Sequence, residues 1–385
     1  MSRKIILLGC YCGDQNYDLI QRLFRGTITV SNSEYEKSLF HGFLEAGEDI
    51  ELISAPSVGK YPFTCKKNHI SKFKKEKNIN IISYYSFAPV CHHSKYRNLL
   101  KMFKKQLNYY KMYDDVVVIA SEPHLPYLKI LKYVKLKYKF KTSLIVPDIP
   151  ENIISFKSKI YKIYKNKINR EIQYISNNFV DSYMFFTEQI STKFRQCSKS
   201  IVREGIIDSF KIFNVKNDFL SCTYIGKTNE KNGIKLLIET ASKIKNVHFD
   251  LYGTGDMDKL LKNIKLPNLT YHGFINPNDI EEKLLKSDIL LSPRYYRDYT
   301  SYSFPSKVLK YLSYCKPVVT FKLPCYSEKF DKVLIYPESE TVESFVKGIE
   351  NAIRRKNDDL YKIYKENIGY LLVENVVDDY LKILF

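Results

Sequence analysis

The feature that most constrains this chain is a repeated unit. A short, nearly uninterrupted apolar run closes on Gly or Pro and is followed by a stretch of helical length. Lys4-Ile5-Ile6-Leu7-Leu8-Gly9 is the first such run. An apolar run without polar alternation predicts a strand buried on both faces, which means a parallel sheet covered by helices. Runs at 51–56, 79–83, 116–120, 143–146 and 182–186 continue the series, and Phe40, Phe43 and Leu44 show helical spacing between two of them. Near residue 220 the pattern restarts with runs at 222–226, 248–253, 269–274, 289–293 and 317–320, and with helices predicted at 233–244 and 306–314. Strands alternating with crossover helices define an α/β protein. A chain of 385 residues exceeds one ordinary core, so the two series predict two domains. We place them at 1–203 and 204–371, with an amphipathic helix over 372–385 packing back on the first.

Charge separates the two halves. Residues 1–200 carry 33 Lys and Arg against 17 Asp and Glu, a net +16, whereas 201–385 carry 28 against 25, a net +3. A one-sided charge of this size points to an anionic partner, either nucleic acid or an anionic bilayer, with a solvated basic surface as the plain alternative. Two segments concentrate it. Residues 60–113 hold 13 basic residues and one acid, Glu76, interleaved with aromatic and apolar side chains. Over 155–175, Phe156, Ile160, Ile163, Tyr164 and Ile168 share one helical face ringed by six basic residues. That pattern fits a helix lying on an anionic membrane and fits equally a crossover helix packed on the sheet.

Other classes are excluded. Gly and Pro number only 14 each, which argues against a disordered or fibrous chain. The 32 tyrosines, alongside many Lys, Asn and Ile and no Trp, read first as an AT-rich genome. The eight cysteines are scattered with no CxxC pair, so they form no zinc pattern, and the adjacent His92 and His93 are not read as a metal site. No apolar stretch is long enough to span a bilayer, and the N-terminal run is too short for a signal peptide. The expectation is a reduced, cytoplasmic protein.

The chemistry concentrates in Ser292-Pro293-Arg294, Tyr302-Ser303-Phe304-Pro305-Ser306-Lys307-Val308-Leu309-Lys310 and Lys316-Pro317-Val318-Val319. A strand ends, and a loop runs to a helix start at which Pro305 costs no hydrogen bond and Ser303 or Ser306 can cap. Free backbone N–H groups there, beside Arg294 and Lys307, suit a phosphate; a plain capped helix with surface cations is the alternative. Gly253-Thr254-Gly255 is only half of a dinucleotide fingerprint and is read as a strand-to-helix turn.

This block resembles the donor domain of the retaining glycosyltransferases of group 1, similar to family 4, in particular a capsule and exopolysaccharide branch with a YSFPSK motif. The resemblance spans nearly the whole chain: Ser54-Ala55-Pro56-Ser57-Val58-Gly59-Lys60-Tyr61-Pro62, Val146-Pro147-Asp148-Ile149-Pro150-Glu151, Phe186-Thr187-Glu188 and Glu204-Gly205-Ile206-Ile207-Asp208 follow in the branch's order. It implies the GT-B fold, two Rossmann-like domains facing across a cleft, and transfer of a sugar from a nucleoside diphosphate-sugar to a glycan or polyprenyl-diphosphate-linked acceptor. The donor diphosphate would rest on the backbone of Ser303, Phe304, Ser306 and Lys307, neutralised by Lys227, Lys231 and Arg294 without a metal or other cofactor. Gly226, with Lys227, Lys231 and Gly233, falls where the family places its donor-phosphate pair. His272, with Phe274 and Asp288, would flank the base. His124 would face the donor sugar and Asp148 the acceptor hydroxyl, with a loop histidine and a turn cap as their plain alternatives. The basic first domain would hold the enzyme on the inner face of the plasma membrane, with no nucleic-acid partner.

Three departures stand out. Tyr302 and Lys310 occupy the places of two glutamates eight residues apart, and a lysine cannot accept hydrogen bonds from ribose hydroxyls. Lys227 and Lys231 replace an Arg and Lys pair, with Asn232 at the usual lysine position, so a point charge stands where Arg would bind phosphate bidentately. Cys315 replaces a glycine. The glutamate losses define the main rival, a catalytically inactive scaffold. A nucleic-acid-binding protein and a nucleotide-sugar epimerase are the others, neither with a motif of its own.

Overall fold

The computed structural model describes residues 2–25, 31–87, 90–149, 159–194, 199–212, 219–276 and 279–385. Of the segments singled out above, Pro150, Glu151, residues 155–158 and Cys197 lie outside these, as do the side chains of residues 159–162. The chain forms two compact units: Met1–Ile206 with Val373–Phe385, and Ile207–Leu372.

The first unit is built on seven parallel strands: β1 (Arg3–Gly9), β2 (Ile50–Ser54), β3 (Ile79–Ile81), β4 (Asp115–Ala120), β5 (Lys141–Val146), β6 (Ser182–Phe185) and β7 (Ser200–Val202). Their order is β3-β2-β1-β4-β5-β6-β7. The central strands are inaccessible along nearly their whole length, as Ile5 to Leu8 and Val117 to Ala120 show, which is why their sequences lack polar alternation. Helices α1 (Ser31–Glu45), α2 (Cys91–Tyr110), α3 (Leu125–Tyr138) and α4 (Lys159–Phe179) connect them. Helices α2, α3 and α4 pack in series, while α1 packs with the final helix of the chain.

The second unit has six parallel strands: β8 (Ser221–Ile225), β9 (His248–Tyr252), β10 (Leu269–Gly273), β11 (Ile289–Ser292), β12 (Val318–Thr320) and β13 (Leu334–Ile335). They run in the order β10-β9-β8-β11-β12-β13. Successive residues on a strand point to opposite faces. Leu290, Val318 and Leu334 therefore enter one core with Val308, Leu312 and Tyr364, while Leu291, Val319 and Ile335 enter the other with Leu237, Phe345 and Ile349. The principal helices are α5 (Ile234–Lys243), α6 (Ser306–Leu312), α7 (Val342–Arg355) and α8 (Leu360–Ile368). The two chain segments at the limits of this unit run side by side, with the Ile207 N–H donating to the Leu371 carbonyl over 2.8 Å.

The chain then returns to the first unit as α9 (Val373–Leu384), which packs on α1, β6 and β7. Its apolar stripe, Val376, Val377, Tyr380 and Leu384, is buried. The Tyr380 hydroxyl lies 2.7 Å from Ser143 Oγ beneath the sheet. Tyr380→Ala is expected to cost about 3–5 kcal/mol of first-unit stability by leaving a ring-sized cavity, and Tyr380→Phe about 1 kcal/mol, both read from denaturant unfolding.

Candidate functional site

In the strand order of the second unit, β8 and β11 are neighbours whose chains leave toward opposite faces, so the loops after them diverge and leave a crevice at the carboxyl end of the sheet. Glycines bring the loops of adjacent strands together there. Gly253, at φ +126, lies where a Cβ would land on the Gly226 carbonyl oxygen, and a Cβ on Gly255 would meet the Thr228 carbonyl oxygen. Gly233 is left-handed and faces the Pro293 carbonyl. The Met257 N–H donates to the Thr228 carbonyl over 2.9 Å and the Tyr295 N–H to the Lys231 carbonyl over 3.3 Å. The Gly253-Thr254-Gly255 segment is thus a strand-to-helix turn whose glycines permit backbone contact.

Two cations sit over this patch. Lys307, in the first turn of α6, carries its ammonium 4.2 Å from the centroid of the Tyr224 ring. A Cβ on Gly226 would stand 3.4 Å from that nitrogen. Burial, with the Arg294 guanidinium as the second cause, pushes Lys307 down to about 7. Arg294 follows β11 and lies 5.5 Å over the Tyr299 ring. Among the described residues no carboxylate pairs with either cation. Two like charges held together without a counter-ion make a place for an anion.

The remaining residues chosen from sequence fall around this centre. Lys227 and Lys231 have exposed side chains, and the Lys227 carbonyl accepts from the Tyr224 hydroxyl and from Asn232 Nδ2 at 2.8 and 2.9 Å. Tyr302, Ser303 and Lys310 are half-buried and Ser306 is exposed. Neither serine caps α6: Pro305 holds the cap position and no side-chain bond closes it. Phe304 is a correction of another kind. Its ring is buried against Tyr326 and Phe330 at 5.4 and 5.3 Å, so only its backbone can meet a ligand. His272, on the edge strand β10, stacks on Tyr252 at 4.2 Å, and its Nε2 lies 2.6 Å from Asp250 Oδ1. Asp288 does not belong here. It precedes β11, at the amino end of the sheet, where it binds Ser221 and Lys356.

The first unit has the same divergence between β1 and β4. Sequence reasoning missed the residue that organises it. Glu36, fully buried on α1, accepts hydrogen bonds from the N–H groups of Cys10 and Tyr11 and from Ser121 Oγ, all at 2.6 Å. It therefore ties the loop after β1 to the loop after β4, and burial pushes its carboxyl up to about 7. Its spacing with Phe40 and Phe43, four and seven residues on, was the available signal. His124 stands at the N-cap of α3, with its ring 5.3 Å edge-on to His92. His124 Nε2 and His92 Nδ1 are buried without hydrogen-bond partners. Burial, aided by lysines, pushes His92 down to about 4 and His124 well below its usual value, so both rings are neutral. Asp148 is half-buried just after β5 at the same end of the sheet. No group of three potential ligands that could hold a metal occurs among the described residues.

Comparisons with known proteins bear on the family and the fold. Residues 220–355 match the family model described as glycosyl transferases group 1. The putative teichuronic acid biosynthesis glycosyltransferase TuaH of Bacillus subtilis (strain 168) is 27% identical over 152 residues, a match covering 38% of each chain. Across nearly the whole length, the structure is similar to sucrose-phosphate synthase from Thermosynechococcus elongatus (TM-score 0.61, 13% identity, 99% and 97% of the two chains). It is also similar to the pneumococcal O-GlcNAc transferase GtfA, solved with UDP and GlcNAc (TM-score 0.59, 12% identity, 100% and 98%). The fold is GT-B. The comparisons support glycosyltransferase group 1, most directly for the second unit.

The packing of the glycine turn is testable. Gly253→Ala is expected to lower stability by about 2–4 kcal/mol, from overpacking together with positive-φ strain. Gly47→Ala, also at positive φ but with nothing within 4 Å, should cost only about 1 kcal/mol in the same unfolding assay.

Proposed function

We propose that the protein is a retaining, metal-independent glycosyltransferase. It transfers a sugar from a nucleoside diphosphate-sugar, with UDP as the first donor to test, to a glycan or lipid-linked glycan in cell-surface polysaccharide synthesis. The observation carrying this reading is the pair of unpaired cations, Lys307 and Arg294, beside Gly226 at the divergence of β8 and β11. They would neutralise the donor diphosphate, with Lys227 and Lys231 added from the exposed loop. Negative charge grows on the leaving nucleoside diphosphate, so cations already in place would stabilise the transition state without reorganising. His124, neutral and with a free ring nitrogen, would hydrogen-bond the donor sugar, and Asp148 the acceptor hydroxyl. UDP is bound in the solved pneumococcal relative, which motivates the choice of nucleotide.

We further propose attachment to an anionic membrane surface. On α4, Ile172 and Ile175 are buried, whereas Ile163 and Tyr164, one end earlier, are exposed beside Lys165 and Lys167. The second half of the helix thus packs as a crossover, and the first half offers apolar side chains among lysines. Each Lys near such a surface contributes on the order of 1 kcal/mol. No described helix is long and apolar enough to cross a membrane. The inactive-scaffold reading retains one specific motivation, Tyr302 and Lys310 in place of carboxylates.

The deciding experiment is a metal-free thermal-shift screen against UDP, GDP, CMP and their sugar conjugates, followed by a transfer assay. UDP at about 100 times its dissociation constant should stabilise the protein by about 2.7 kcal/mol, and Lys307→Ala or Arg294→Ala should abolish the shift. No response to any nucleotide would overturn the donor-site assignment. The pH dependence is a second test. Lys307 titrates near 7 in the folded protein and at 10.5 when unperturbed, so folding sheds a proton between these values and free-protein stability rises with pH there. A bound diphosphate returns that proton. UDP affinity should therefore fall by up to about tenfold per pH unit above the folded value, and the slope should vanish in Lys307→Arg by calorimetric titration.

A further inference from the structure

The first unit contains a buried cation for which the donor site has no use. Lys95 lies in the second turn of the 20-residue helix α2 and is only 8% exposed. Its ammonium stands 4.7 Å from the centroid of the Tyr84 ring, and among the described residues it pairs with no carboxylate. The first turn of α2 carries no acid. Glu36, the nearby buried carboxyl, is occupied by two backbone N–H groups and Ser121. The side chain is largely buried while its charge is met by no acid among the described residues, which leaves that charge available to an incoming anion.

The neighbours of Lys95 repeat the pattern. His92, one helical turn earlier, and His124 meet edge to face, each with an unpartnered buried nitrogen. The charges of Lys60 and Lys95 reach both rings and help to keep them neutral. Lys60 is half-buried and likewise has no acid partner among the described residues. Lys129, also within reach of His92, is satisfied by Glu171 at 3.1 Å. The cluster therefore offers two unneutralised ammonium groups and ring nitrogens free to bond a ligand, all from one unit.

We propose that Lys95, Lys60 and His92 form a binding site for an anionic substituent of the sugar substrate, a carboxylate or a phosphate ester. This rests on the glycosyltransferase reading and names the substrate class: the cluster belongs wholly to the first unit, the one read as holding the acceptor, so the anion belongs to the acceptor. The acceptor is then an acidic glycan, and its charge fixes the ring that presents the attacking hydroxyl.

The test uses the full chain carrying Lys307→Ala, so that the donor cations cannot hold the probe. Methyl glucuronide and glucose 1-phosphate are compared with neutral methyl glucoside by thermal shift and calorimetry, alone and with Lys95→Gln, Lys95→Met or Lys95→Arg added. The anionic probes should bind and the neutral one not, with affinity falling roughly tenfold or more in Lys95→Gln and recovering in Lys95→Arg. Without ligand, Lys95→Met should melt higher than its parent, because it removes an uncompensated charge. If UDP-glucuronate, tested on the chain with Lys307 intact, gains affinity from Lys95 while no free glycoside binds, the anion belongs to the donor sugar and the acceptor assignment is overturned. Equal binding of charged and neutral probes, unchanged in Lys95→Gln, overturns the proposal, as does a Lys95→Met variant that melts lower with ligand response intact. Because the free-glycoside readouts need no functional nucleotide site, loss of UDP binding leaves them interpretable.

Discussion

Everything functional in this chain hangs on one topological constraint. A parallel sheet linked by right-handed crossovers must, when its strand order reverses, send two adjacent strands into loops on opposite faces. Each unit has one such place, between β1 and β4 in the first and between β8 and β11 in the second. The loops that diverge there cannot satisfy one another as the rest of the sheet does. In the first unit a carboxylate, Glu36, bridges them from below. In the second, glycines allow them to touch through backbone alone. These two solutions leave different surfaces. Backbone contact under Lys307 and Arg294 gives an anion site with little side-chain shape, while the carboxylate clamp fixes the loop that carries His124.

The fold was legible because buried parallel strands write themselves as apolar runs. The runs chosen at 116–120, 222–226 and 289–293 correspond to β4, β8 and β11 to within a residue at each end. What escaped notice was short. β7 has three residues and β13 two, and both lack the length over which a period can register. The basic segment over 60–113 contains β3, loops and α2 rather than a single surface feature, and its charges do not share one fate: Lys95 is buried while Lys101 and Lys104 on the same helix are exposed.

Site residues divide along the same line. Gly226, Arg294 and Lys307 could be selected from sequence because strand ends and helix starts are local events. The approach of Gly226 and Lys307 to Tyr224 could not, since it depends on two strands pairing across some 70 residues of chain. Phe304 and Asp288 misled for the complementary reason: position in a motif does not say whether a side chain turns to the crevice, the core or the far end of the sheet. Glu36 and Lys95 were each hidden in helices rich in charge, where only partnership or its lack distinguishes a structural ion from a solvated one.

The return of α9 has a consequence for how the molecule is made. The second unit is one continuous segment, from Ile207 to Leu372, and can fold as soon as that segment has left the ribosome. The first unit, begun earlier, cannot seal the face of β6 and β7 until the last helix emerges. During synthesis its sheet waits with one apolar flank open while a complete neighbour forms downstream. The half of the molecule translated first is the half finished last, and its exposure to chaperones and proteases is set by the translation time of everything that follows it.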